Sequence, residues 1–114
     1  GSDPPGKYSN SAGFLAYYEI CDLLENENGR KFWHHEDKVP YFVTKDTWIG
    51  YENRRSIIEK TKFIVEEGYG GAMIWSLPLD DFSQSCKSSE SPYPLTRTIN
   101  DILRQAEVGL NLAY

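Results

Sequence analysis

The sequence predicts an α/β fold on three observations: a helical apolar face following Ser56, a second over Leu95 to Ala106, and between them the unbroken apolar run Gly70-Gly71-Ala72-Met73-Ile74-Trp75-Ser76. An apolar run without alternation suits a parallel strand buried on both faces. One such strand cannot close a fold, because its two edges and both helix faces need partners. The 114 residues are the size of one domain, yet this order of elements describes a piece of something larger.

Residues Gly1 to Ser11 are rich in Gly, Pro, Ser and Asn and are expected to be loop, with Gly1-Ser2 read as an expression scar. From Ser11 onward, Phe14, Tyr17, Tyr18, Cys21 and Leu24 fall at helical spacing. They predict a helix that ends near Asn26 with Cys21 on its inward stripe. Arg30 to Lys38 is charged and without period, so it reads as irregular. Val39 to Thr44 and Thr47 to Tyr51 are β-rich runs around Lys45-Asp46 and predict a hairpin. Ser56 with Glu59 forms a capping-box pattern ahead of Ile57, Ile58, Thr61, Ile64 and Val65, and Gly68 is the expected stop. Glu66 and Glu67 oppose the dipole at that end, so tertiary contacts must hold the last turn. Pro92 to Pro94 precede the last helix, whose apolar face is Leu95, Ile99, Ile102, Leu103 and Ala106, and Val108 to Tyr114 reads as a tail.

The balance of charge narrows the partners. A formal net charge of -5 and a pI near 5.0 leave no basic surface for nucleic acid or an anionic membrane, and no apolar run approaches the ~20 residues that span a bilayer. With 8 Tyr, 5 Phe and 3 Trp, the chain has flat apolar rings beside polar groups. That composition suits neutral, hydroxyl-rich ligands such as sugars, although rings also fill cores. Cys21 and Cys86 have no CxxC partner and no Cys/His cluster, which leaves zinc and thioredoxin chemistry without support. They either form one disulfide, closing a loop of roughly 65 residues worth roughly 4 kcal/mol on the chain-entropy argument, or pack as two separate thiols.

Other groupings fail on inspection. His34-His35-Glu36-Asp37 holds ligand-type side chains, but neighbours in a charged loop rarely converge on one metal. No metal or other cofactor is expected. Arg54-Arg55 is a lone basic pair, and a Ser-His-Asp triad has no G-x-S-x-G turn to present it.

Four collinear segments carry a family resemblance. Ala12-Gly13-Phe14-Leu15-Ala16-Tyr17-Tyr18-Glu19-Ile20-Cys21, then Val39-Pro40-Tyr41 leading to Trp48-Ile49-Gly50-Tyr51, then Gly70 to Trp75, then Leu79-Asp80-Asp81-Phe82 with Cys86 after it, follow in order. Together they resemble the C-terminal part of the family 18 glycoside hydrolases, the chitinases and chitinase-like lectins. The resemblance implies a TIM barrel with an inserted α+β domain and a site at the C-terminal ends of the strands. On it, 1–11 is linker, 12–53 most of the insertion domain, 54–107 the last helix-strand-helix of the barrel and 108–114 a tail. The helix Ile57 to Glu67 is similar to the seventh barrel helix, Ala72 to Ser76 to the eighth strand, and Leu95 to Gln105 to the eighth helix.

What the resemblance implies for chemistry is partial. Such enzymes hydrolyse β-1,4 bonds between N-acetylglucosamine units: the N-acetyl oxygen attacks the anomeric carbon while a Glu at the end of a DxxDxDxE motif protonates the leaving oxygen. These residues contain no such motif, so no catalytic residue is assigned, and this chain alone is not expected to cleave. Trp75 resembles the floor under the central sugar, Met73 points the same way along the expected strand, and Phe14 matches an apolar cleft wall. Cys21 and Cys86 match a family disulfide that joins the insertion domain to the loop after the eighth strand, and the pair implies a secreted, extracellular protein. Two positions depart from the pattern: Ser11 stands where many active relatives are acidic, and Pro78 where relatives usually carry another Asp. Asp80-Asp81 are structural in that pattern. The expected partners are chitin or chito-oligosaccharides and the remainder of the barrel. A lectin that binds such sugars without cleaving them is the alternative, and an independent small interaction protein is a third reading.

Overall fold

A computed structural model of the chain describes residues 15–26, 28–74 and 76–112. The expected linker, Ser11, Phe14 and Trp75 lie outside the described residues.

Helix α1 spans Tyr17–Asn26 and is entered through Ala16, whose carbonyl accepts from the amides of Glu19 and Ile20. Its buried stripe is Glu19, Ile20 and Cys21, which agrees with the inward placement of Cys21.

Three antiparallel strands follow in the order β1-β2-β3: β1 at Gly29–His34, β2 at Val39–Thr44 and β3 at Trp48–Gly50. The hairpin of β2 and β3 is where the sequence places it. Strand β1 corrects the reading of Arg30 to Lys38 as irregular. Its own residues show no period two, and it becomes a strand through its partner, pairing Phe32 with Tyr41 and Trp33 with Pro40. The turn back into β2 places Lys38 at φ 55, and the Lys38 amide donates to the His34 carbonyl at 2.7 Å. Pro40 sits in the central strand without cost to the ladder. Its carbonyl accepts from Tyr51, so its missing amide hydrogen points to the β3 side, just past the last paired residue of that strand, Gly50.

The sheet has two unlike faces. On one, Phe42 is 2% exposed and Pro40 is buried. On the other, Phe32, Tyr41 and Trp48 form a row with ring centres 5.0 and 5.8 Å apart. Gly50 makes room for this row, since a Cβ there would lie 2.9 Å from the Trp48 indole.

Helix α2 is Arg54–Glu66. The capping box is one turn earlier than Ser56-Glu59: Asn53 Oδ1 accepts from the Ser56 amide and Ser56 Oγ from the Asn53 amide, each at 2.9 Å. Ser56 is therefore the third residue of the helix, and its hydroxyl also donates to Glu52 at 2.6 Å. At the other end Gly68 takes φ 72, and the amides of Gly68 and Tyr69 return to the carbonyls of Val65 and Ile64. That is a Schellman stop, with Tyr69 packed against Phe63 at 6.0 Å as its apolar contact.

Helix α3 runs Pro94–Leu112, well past the expected start of the tail at Val108, and packs along α2. The expected strand over Gly70 to Ser76 has no sheet partner among its described residues, and 71–74 are exposed. The physical reason is the one that made the piece look incomplete: a strand is made by hydrogen bonds from its neighbours, and the only sheet of the described residues is the antiparallel one.

Candidate functional site

The segment that leads to residue 75 lies between α2 and α3 in sequence. Met73 is 89% exposed on it, with Ile74 and, beyond it, Leu77 also exposed. Trp75 and Phe14 are outside the described residues, so Met73 and the two cysteines are the expected site residues whose surroundings are visible.

What holds this segment is its exit. A 3-10 turn at Leu77–Leu79 delivers Asp80 and Asp81, which are 5% and 0% exposed. Asp80 caps the following helix from outside it: Oδ2 accepts from the Thr96 amide and hydroxyl at 2.9 Å each, and Oδ1 from the Leu95 amide at 3.4 Å. A carboxylate at a helix N-terminus meets free amides and the positive end of the dipole. Asp81 turns the other way, and all its side-chain bonds go to the loop that carries Cys86. Neither carboxylate is left free for acid/base work, as their structural reading anticipates.

Cys86 is bonded to Cys21, with Cα atoms 5.6 Å apart and a sequence separation of 65. The loop after residue 76 is thereby tied covalently to α1. The alternative of two separate thiols is excluded.

A cleft of about 680 Å³ opens beside this joint, lined by Tyr17 and Tyr51 with Lys31, Arg54, Lys87 and Arg97 among its charged groups. Burial pushes the Tyr17 phenol above its ordinary 10.0, opposed by a bond from Ser88 and aided by Asp80 and Asp81. Tyr51 is raised chiefly by burial and further by Tyr17. Sequence reasoning did not single out Tyr51, because nothing in spacing alone sets it beside Tyr17.

The His34 to Asp37 turn folds on itself. His34 Nδ1 accepts the Asp37 amide at 3.2 Å and lies 3.4 Å from Asp37 Oδ2. Among the described residues no three His, Cys, Asp or Glu side chains gather as metal ligands, and no helix is long and apolar enough to cross a membrane.

The profile of the glycosyl hydrolases family 18 matches residues 1–80. The chain belongs to that family. It is 41% identical over 113 residues to an oviduct-specific glycoprotein of Sus scrofa, covering 99% of this chain and 21% of that protein. Among solved structures, an immunomodulatory active chitinase from Trichuris suis superposes with a TM-score of 0.83 at 34% identity, over 90% of this chain and 28% of that one. Human YKL-39, described as a pseudo-chitinase with retained chitooligosaccharide binding, gives 0.82 at 38% identity over 91% of this chain and 28% of its own. The chain thus spans about a fifth of the length of the curated relatives it matches.

Proposed function

We propose that this chain is part of a secreted chitinase, and that the complete protein binds and hydrolyses β-1,4-linked N-acetylglucosamine polymers in a TIM-barrel cleft. In this reading residues 12–53 are most of the insertion domain, α2 and α3 are the last two barrel helices, and 72–76 is the eighth strand. Trp75 is the sugar floor, with Met73 beside it and Phe14 on the wall. Catalytic protonation belongs to a Glu outside these residues. The observation that carries the reading is the superposition on an active chitinase over nine-tenths of the chain, together with the family match. The exposure of Met73, Ile74 and Leu77 supports it, because a barrel strand and its exit without their neighbours would leave such side chains uncovered.

The alternative is a lectin of the same family. The likeness to a pseudo-chitinase that keeps chitooligosaccharide binding favours it as directly. Both readings predict that Trp75→Ala in the complete protein weakens chito-oligosaccharide binding at least tenfold by calorimetric titration, and an unchanged affinity removes Trp75 from the cleft. Turnover of a fluorogenic chito-oligosaccharide by the complete protein then separates enzyme from lectin. The chain alone should give none.

A further inference from the structure

The loop from Phe82 to Tyr93 contains neither helix nor strand, and Phe82, its large apolar residue nearest the turn, is 47% exposed. Its apolar contacts are few: Cys86 is buried and Phe82 meets Tyr18 edge-on at 5.7 Å. One side chain gathers most of the loop's polar contacts. Oδ1 of Asp81 accepts from the Ser85 amide and the Ser85 hydroxyl, each at 2.8 Å. Oδ2 accepts from the Cys86 amide at 2.9 Å and from the Ser89 hydroxyl at 2.7 Å. The Asp81 carbonyl adds the Tyr93 amide at 3.0 Å, closing the loop at its far end.

One of those four donors is the backbone of Cys86 itself, so the carboxylate sets the position of the cysteine directly. The carboxylate is also anchored on the side away from the bridge. Asp81 follows Asp80, which is fixed to the first turn of α3 by three bonds of its own. Charge-assisted bonds of this kind are about twice as strong as neutral ones, and the Asp81 side chain is fully buried, where an ionised group needs every donor it can collect.

We infer that Asp81 is the positioning residue for the Cys21–Cys86 pair: its carboxylate holds the Phe82–Ser89 loop so that the Cys86 thiol faces Cys21 on α1 before the two are oxidised. Oxidation by a disulfide oxidant then removes one hydrogen from each thiol, forms the Cys21–Cys86 bond and reduces the oxidant to two thiols. The product ties α1 to the segment that leaves residue 76. With Asp81 ionised, the two thiols meet at high effective concentration. Without it, the loop is free to sample arrangements in which they do not.

The test is the pairing constant of the full chain in mixtures of oxidised and reduced glutathione, read by acid quench, alkylation and intact mass. The wild-type constant should be at least tenfold higher in buffer than in concentrated urea. Asp81→Asn should lose most of that gain, Ser89→Ala a severalfold part of it, and Asp80→Asn, which loosens the α3 cap behind Asp81 but keeps all four loop donors on the Asp81 carboxylate, less than Asp81→Asn. In urea all four should agree. Equal wild-type constants in buffer and urea overturn the inference, as does an Asp81→Asn constant equal to wild type, or equal losses from Asp80→Asn and Asp81→Asn. If Asp81→Asn does not fold, Ser85→Ala and Ser89→Ala carry the test, and wild-type pairing in both overturns it.

Discussion

The guanidinium carbon of Arg55 lies 3.9 Å from the centre of the Trp33 ring. This contact fastens the first turn of α2 to β1, and it does so with a cation placed where the helix dipole disfavours one. The stacking must outweigh that penalty. Arg55→Ala is expected to lower unfolding free energy by ~1 kcal/mol, the range of a partly exposed cation–π pair. Arg54→Ala, one residue earlier with no ring beneath it among the described residues, should change it by less than half as much. Urea denaturation of the two variants side by side checks this.

Gly29 opens β1 against the buried ring of Phe42. A Cβ at this position would stand 2.6 Å from Phe42 Cζ and 2.6 Å from the Val43 carbonyl oxygen. The ring has no room to move, being 2% exposed, and the carbonyl belongs to the neighbouring strand, so the added methyl must displace backbone. Gly29→Ala is expected to cost ~2 kcal/mol, an overpacking penalty. A melting temperature unchanged within a degree would contradict it.

Much of this arrangement is legible in the residues, and the parts that are not share a cause. Helices α1, α2 and α3 announce themselves because Cys21, Ile57 and Leu95 each begin or continue an apolar stripe, a local property. The β2 hairpin is legible for the same reason. Strand β1 is not, because Arg30 to His34 acquire their extended form from pairing with Val39 to Val43, and pairing is non-local. The start of α2 is ambiguous in sequence because Ser56 and Asn53 are both good caps, and only the reciprocal bonds between them show that Asn53 opens the helix. The strand expected over Gly70 to Ser76 is the opposite case. Its apolar run reads as needing neighbours on both sides, and the described residues supply none. Of the expected site residues, the Cys21–Cys86 bond is visible, whereas the roles of Asp80 and Asp81 depend on partners up to 16 positions away that no spacing rule connects.

That reciprocal cap has a measurable weight. Asn53→Ala removes the acceptor for the Ser56 amide and leaves a free amide at the opening of α2. A loss of ~1 kcal/mol is expected, the usual value of an N-cap. Asn53→Asp should restore it, since a carboxylate accepts the same bond and suits the dipole. Ser56→Ala tests the other half of the box and also removes the donor to Glu52 Oε2, leaving Lys60 on Oε1. If Asn53→Asp is no more stable than Asn53→Ala, the bond from Ser56 does not open the helix.

Stability should fall at both ends of the pH range, through different residues. Burial pushes the Asp81 carboxyl up, but bonds from Ser89, Cys86 and Ser85 outweigh burial and hold it below its ordinary 3.8. The folded state thus binds the proton less readily than the unfolded chain. Its contribution is complete above the unfolded value and is lost as pH falls from about that value through the lower folded one. Tyr17 and Tyr51 act in the reverse sense. Burial raises both phenols above 10.0, so the unfolded chain gives up its protons first, and stability declines as pH rises beyond that point. Denaturant midpoints should therefore be level between about pH 5 and 9, with an acid limb that flattens in Asp81→Asn and an alkaline limb that flattens in the Tyr17→Phe, Tyr51→Phe double variant. An acid limb of wild-type steepness in Asp81→Asn would assign the loss to other carboxylates.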